Sequence, residues 1–150
     1  MIAIIGSVTL IGNDLYQDKK DEKYLDDFSY PVEATKFLYQ YMEENEIDIK
    51  DLHLYNEYNY GSYLLLQGIP VFIDSRCDLY TPEFNHREDI FSDALNVPGL
   101  NSNYQGIFEK YGVSFVMLYS RDDVNTKLSQ DSRYEEIYND RLFTIYHRLE

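Results

Sequence analysis

The order of apolar stretches along this chain predicts an α/β fold. The expected form is a three-layer sandwich with a mixed sheet, parallel at its centre and closed by a C-terminal antiparallel hairpin. Three observations carry this. Residues 52–80, LHLYNEYNYGSYLLLQGIPVFIDSRCDLY, read as strand, short helix and strand, and strands joined by a helical crossover lie parallel, with the helix on one face. Val113–Tyr119, VSFVMLY, is almost continuously apolar, as a strand buried on both faces is. Tyr134–Tyr138 and Leu142–Arg148 alternate in polarity around Asn139-Asp140-Arg141, which is a hairpin pattern. The alternation in FTIYHR leaves one face exposed, as in an edge or near-edge strand.

Taken in order, Met1–Gly12 is apolar and uncharged. It is shorter than the roughly 20 residues of a membrane span and lacks the basic start and small-residue cleavage site of a signal peptide. It fits a buried first strand or the end of a longer hydrophobic segment; Gly6 and Gly12 do not form a dinucleotide-binding G-x-G-x-x-G. Asn13–Ser29 is mixed in charge and without period, a linker or frayed helix. From Pro31 to Asn45 the apolar Val32, Ala34, Phe37, Leu38, Tyr41 and Met42 recur at helical spacing, with Pro31 suited to the first helical position near a Ser29 or Tyr30 cap.

After a polar connection, LHLYN is the first strand of the organising stretch, YGSYLLLQG its helix and PVFID its second strand. Thr81-Pro82 marks a turn, Phe84–Leu95 is partly helical, and Asn96-Val97-Pro98-Gly99 ends it. Ser102–Tyr111 is a helix with Tyr104, Ile107, Phe108 and Tyr111 on one face, and Gly112 fits its C′ position. Ser120-Arg121-Asp122-Asp123 is a polar turn and Val124–Ser129 a short helix. The expected domain is residues 30–150.

At 150 residues with 44% hydrophobic content, the chain buries enough surface to fold as one domain without a metal or disulfide. Its net charge of −14 argues against nucleic acid, whose phosphates need Lys and Arg, and against a polybasic surface for lipid headgroups. Sixteen Tyr with no Trp reflect coding bias more than a binding code. Cys77 is the single cysteine, so there is no intrachain disulfide and no cysteine metal cluster. His53, His86 and His147 have no metal-ligand spacing. No nucleophile elbow, P-loop or C-x-x-C occurs, so no catalytic residue, cofactor or metal is assigned.

Candidate ligand-binding residues fall where the expected parallel strands end, since ligands of open α/β sheets sit outside that edge. Asn56, Glu57 and Tyr58 close the first strand. Asn56 suits an Asx-turn, and Glu57 a general base if burial raises its pKa. Asp74, Arg76 and Asp78 alternate past the second strand, with Tyr80 beyond. If the backbone stays extended, period two puts the first three on one face. They would then hold a divalent cation, or present a fork to a carboxylate, phosphate or sugar hydroxyl. Alternatively, Arg76 ties down the loop by pairing with Asp74. Gly61 suits close backbone packing or a positive φ.

The stretch NEYNYGSYLLLQGIPVFIDSRCDLY resembles the pattern N-E-Y-x-[WY]-G-[GS]-Y-L followed by P-V-F-I-D-x-R-x-D-x-Y. That pattern belongs to the C-terminal extracytoplasmic domain of bacterial polytopic membrane proteins similar to the GT-C class of glycosyltransferases, which use lipid-linked sugars. Tyr30-Pro31-Val32-Glu33-Ala34 resembles the helix start before the motif, and FEKYGVSFVMLY the later helix-strand unit, so the likeness spans Tyr30 to Arg148. Tyr60 stands where Trp is more usual, Ser62 replaces a second Gly, and Ser75 replaces the Gly of I-D-G-R.

The resemblance implies that Met1–Gly12 ends a last transmembrane helix and that Asn13–Ser29 leads into the domain. It also implies that the catalytic acids lie in transmembrane loops absent here. The domain would then be non-catalytic, sitting on the extracytoplasmic face of the cell membrane. It would cover the membrane active site or contact an acceptor glycan, lipid head or lipid-linked sugar, with the transmembrane part of the same polypeptide as partner. The alternative is a free-standing soluble α/β protein that binds a small polar ligand or hydrolyses one at the strand edge.

Overall fold

The computed structural model describes residues 30–99 and 103–149; the readings of Met1–Gly12 and Asn13–Ser29 lie outside them. The fold is α/β, with one sheet of order β1-β2-β4-β3. Helix α1 is Val32–Glu44, β1 is Leu54–Tyr55 and α2 is Tyr58–Leu66. Two short helices, α3 (Pro82–Asn85) and α4 (Ile90–Asn96), precede α5 (Tyr104–Lys110). Then come β2 (Phe115–Tyr119), α6 (Asp123–Leu128), β3 (Tyr134–Asn139) and β4 (Phe143–Arg148). β1 pairs parallel with β2, Leu54 opposite Phe115. β4 runs antiparallel to both β2 and β3.

The continuous apolar run of β2 is explained by a core on each side of the sheet. Phe115 and Met117 join Phe143 and Ile145 beneath α1 and α2, where Leu38, Tyr60 and Leu64 are fully buried. One residue out of phase, Val116 and Leu118 join Tyr146 against Phe108 of α5 and Val124 and Leu128 of α6. Period two therefore sends alternate β2 side chains into opposite layers, giving the expected three-layer sandwich. Both α2 and α5 end in a Schellman motif. Gly68 (φ +85°) and Gly112 (φ +62°) follow the helix ends, and the next residues, Ile69 and Val113, donate back to Leu64 O at 3.0 Å and Phe108 O at 2.8 Å. Left-handed backbone there favours glycine.

Two expectations need correction. FTIYHR is near-edge, as β4 lies between β2 and the edge strand β3, but the expected exposed face is missing: its first four residues are buried. Its polar Thr144 is buried because its hydroxyl meets Ser120 Oγ at 2.8 Å, so a hydroxyl satisfied inside the fold reads in sequence as a solvent-facing residue. The edge strand on this side of the sheet is β3, with Glu135 and Glu136 exposed.

PVFID, in turn, forms no strand; the parallel partner of β1 is β2. The segment is held by a side chain instead of a ladder. Asn56 Oδ1 accepts from Phe72 N at 2.8 Å, and Asn56 Nδ2 donates to Ile73 O at 2.8 Å. Its amide thus takes the place of one peptide of a neighbouring strand. Asn56 forms no Asx-turn; its second Nδ2 bond goes to Glu57 O at 2.9 Å.

Gly61 makes this packing possible. A Cβ there would overlap Ile73 O and crowd Asn56 Nδ2 and Asp74 Cα, so helix α2 and the 73–74 backbone touch directly. Close approach, not a positive φ, is what Gly61 supplies. Gly61→Ala should therefore destabilise the domain by about 3 kcal/mol, the upper part of the overpacking range, in urea unfolding. An unchanged midpoint would contradict this packing.

Candidate functional site

Asp74 is fully buried, and its carboxylate is consumed internally. Oδ1 accepts from Arg76 N at 2.8 Å and Arg76 Nε at 3.0 Å. Oδ2 takes an Arg76 Nη2 proton and the Tyr80 hydroxyl at 2.9 Å. Hydrogen bonding from Arg76, aided by Tyr80, holds the Asp74 pKa down at about 2. The chain turns at Arg76 into a 3₁₀ helix, Cys77–Tyr80, so Asp78 does not share a face with Asp74 and lies exposed.

The same arrangement recurs at the second Asp-Ser-Arg of the chain. Asp131 accepts from Arg133 N at 3.1 Å, Nε at 3.0 Å and Nη2 at 2.7 Å, and from the Tyr104 hydroxyl at 2.9 Å. Two such knots, each closed by a tyrosine, identify this as a device for fastening a loop. Among the described residues no cluster of His, Cys, Asp and Glu is arranged to hold a metal.

The two serines that depart from the resembled pattern lie in contact: Ser62 Oγ and Ser75 Oγ are 2.7 Å apart. Tyr60 is also built in. Its buried hydroxyl donates to Met117 O at 2.6 Å and accepts from Glu57 N at 3.2 Å. An indole N–H in its place would have no acceptor for Glu57 N.

Glu57 is different. It follows β1 at the carboxyl edge of the parallel pair, and its Oε2 accepts from Tyr119 N at 2.9 Å, at the end of β2. Its carboxyl also lies within hydrogen-bonding reach of Asp122. Burial, reinforced by the charge of Asp122, raises Glu57 to about 8 against an ordinary 4.5, despite Tyr119 N–H and Arg121 opposing it. Burial raises Asp122 as well, so the two facing carboxyls favour sharing a proton, and the buried Asp122 Oδ2 has no other hydrogen-bond partner among the described residues. Arg121 lies over the Tyr119 ring, 5.1 Å from its centroid. Tyr58 is half-buried, edge-on to Phe91 at 6.5 Å.

The structure thus keeps Glu57 and Tyr58 at the strand edge, spends Asn56, Asp74, Arg76 and Tyr80 on internal bonds, and leaves Asp78 apart. It adds Tyr119, Arg121 and Asp122, which the sequence reading placed only in a polar turn. They become visible once VSFVMLY is taken as the strand beside LHLYN, because the ends of adjacent parallel strands converge. Compared with family models, curated proteins and solved structures, the chain has no significant match.

Two outcomes follow. Asp74→Ala should cost about 1–3 kcal/mol by stranding buried donors, whereas Asp78→Ala should stay within about 0.5 kcal/mol of wild type; paired urea titrations check this. Glu57 binds a proton in the folded chain over a range where the unfolded chain has lost it. Its contribution is full below about pH 4.5 and is lost as pH rises through about 8. Stability followed across that window should fall with pH, and Glu57→Gln should flatten the fall. An unchanged slope would remove Glu57 as its source.

Proposed function

We propose that the chain is a non-catalytic, extracytoplasmic domain of a bacterial polytopic membrane protein similar to GT-C glycosyltransferases. In this reading it contacts an acceptor glycan or a lipid-linked sugar, or covers the membrane active site. One observation carries the non-catalytic part. Most polar residues of the stretch that resembles that group serve the fold itself: Asn56 clamps the 72–73 backbone, Asp74 is closed by Arg76 and Tyr80, and the two serines bond each other. Residues spent this way are a fold signature, which supports a structural role for this part of the motif. What remains open is the strand edge at Glu57, Asp122 and Arg121. A shared proton and a guanidinium there offer both donors and acceptors to sugar hydroxyls.

The raised Glu57 carboxyl favours a second reading, a free-standing α/β protein with a general acid–base at this edge. Against it, the Glu57 carboxyl is engaged by the Tyr119 N–H and by the Tyr60 backbone N–H of its own helix cap, with Asp122 beside it, and among the described residues no Ser, Thr, Cys or His nucleophile is bonded to it. Fractionation of native cells with an antibody to this domain separates the two. The membrane reading predicts a membrane-bound band far larger than 17.8 kDa, with the epitope accessible on intact cells. A soluble band at that mass would overturn it.

A further inference from the structure

The end of the sheet that carries Glu57 also carries a cavity of about 590 Å³ between the start of α1 and the β3–β4 turn. Its size falls within the roughly 300–1,000 Å³ of small-molecule sites. The two features adjoin: Tyr119, bonded to Glu57, pairs with Phe143 of the cavity wall, their rings 5.0 Å apart. The wall is apolar where Val32, Leu142 and Phe143 line it, and aromatic at Tyr30. The rim is polar, with Glu33, Asp140 and Arg141.

The turn is preorganised. Asp140 Oδ1 accepts from Leu142 N at 2.6 Å and Phe143 N at 2.7 Å, and Oδ2 accepts from the Tyr138 hydroxyl at 2.6 Å. Among the described residues Arg141 and the Tyr30 hydroxyl make no hydrogen bond. We infer that this cavity is a binding subsite for a neutral sugar ring, resting on the reading of the chain as a domain that meets a glycan. A pyranose has an apolar C–H face and a girdle of hydroxyls that both donate and accept. The aromatic and aliphatic wall matches the first, and Arg141, Tyr30 and the Glu33 carboxylate match the second. On the rim Glu33 pairs with Lys36 Nζ at 3.0 Å and Asp140 lies beside Arg141, so selection against sugar phosphates comes from the field of the chain's net charge of −14.

Amide NMR of the full chain titrated with D-glucose, D-mannose, N-acetyl-D-glucosamine and glucose 6-phosphate tests this. A neutral sugar should shift the amides of Val32, Leu142 and Phe143, with glucose 6-phosphate weaker. Arg141→Ala combined with Tyr30→Phe should weaken binding by about tenfold or more, while a matching amide spectrum elsewhere confirms the fold. No shift with any neutral sugar, shifts confined to another surface, or binding unaffected by the double variant would each overturn the subsite. Sugar binding by a chain that fractionates as a soluble band would keep the subsite and remove the membrane reading. A membrane protein whose domain ignores all four probes would do the reverse.

Discussion

The side-chain amide of Asn56 is the contact on which this fold turns. β1 is two residues long, and its own ladder reaches only β2. Beyond it, the 70–74 segment is fastened by two bonds to one asparagine and by the bare backbone of Gly61. Because a primary amide presents one acceptor and two donors in a plane, it copies the pairing of a peptide group at the cost of a single residue. Once the segment is placed, Asp74 is buried and its charge must be met at once by Arg76 and Tyr80, which turns the chain away from the sheet.

This chain of consequences separates two kinds of polar residue that look alike in sequence. Asp74 and Glu57 are both acidic residues in the same stretch, and burial pushes both pKa values up, yet hydrogen bonds from Arg76 carry Asp74 down to about 2 while Glu57 rises to about 8. The difference lies in the partners. Asp74 is surrounded by donors, one of them cationic, whereas Glu57 faces another carboxyl. Charge compensation makes the first a fastening; its shortage makes the second a proton-holding group at the strand edge.

Much of the fold was legible, because it rests on periodicity. The 3.6-residue repeat of α1, the unbroken run of β2, the glycines after α2 and α5 and the hairpin around Asn139–Arg141 all report local physics. The errors came from long-range substitution. PVFID has strand composition, but no strand forms where a side chain replaces the ladder. Thr144 reads as solvent-facing because its partner, Ser120, lies in another element. The site was legible only in part for the same reason. Glu57 was visible as a strand-end carboxyl, but Asp122 lies 65 positions away and enters only through the β1–β2 pairing.

The central claim, that the Asn56 amide acts as part of the sheet, is tested most directly by native-state hydrogen exchange at Phe72. Its N–H donates to Asn56 Oδ1 and lies outside every strand. If the clamp holds the fold together, Phe72 exchanges only with global unfolding, as slowly as Val116 and Met117 in the centre of β2. Exchange at the rate of an open loop, with β2 still protected, would contradict the account.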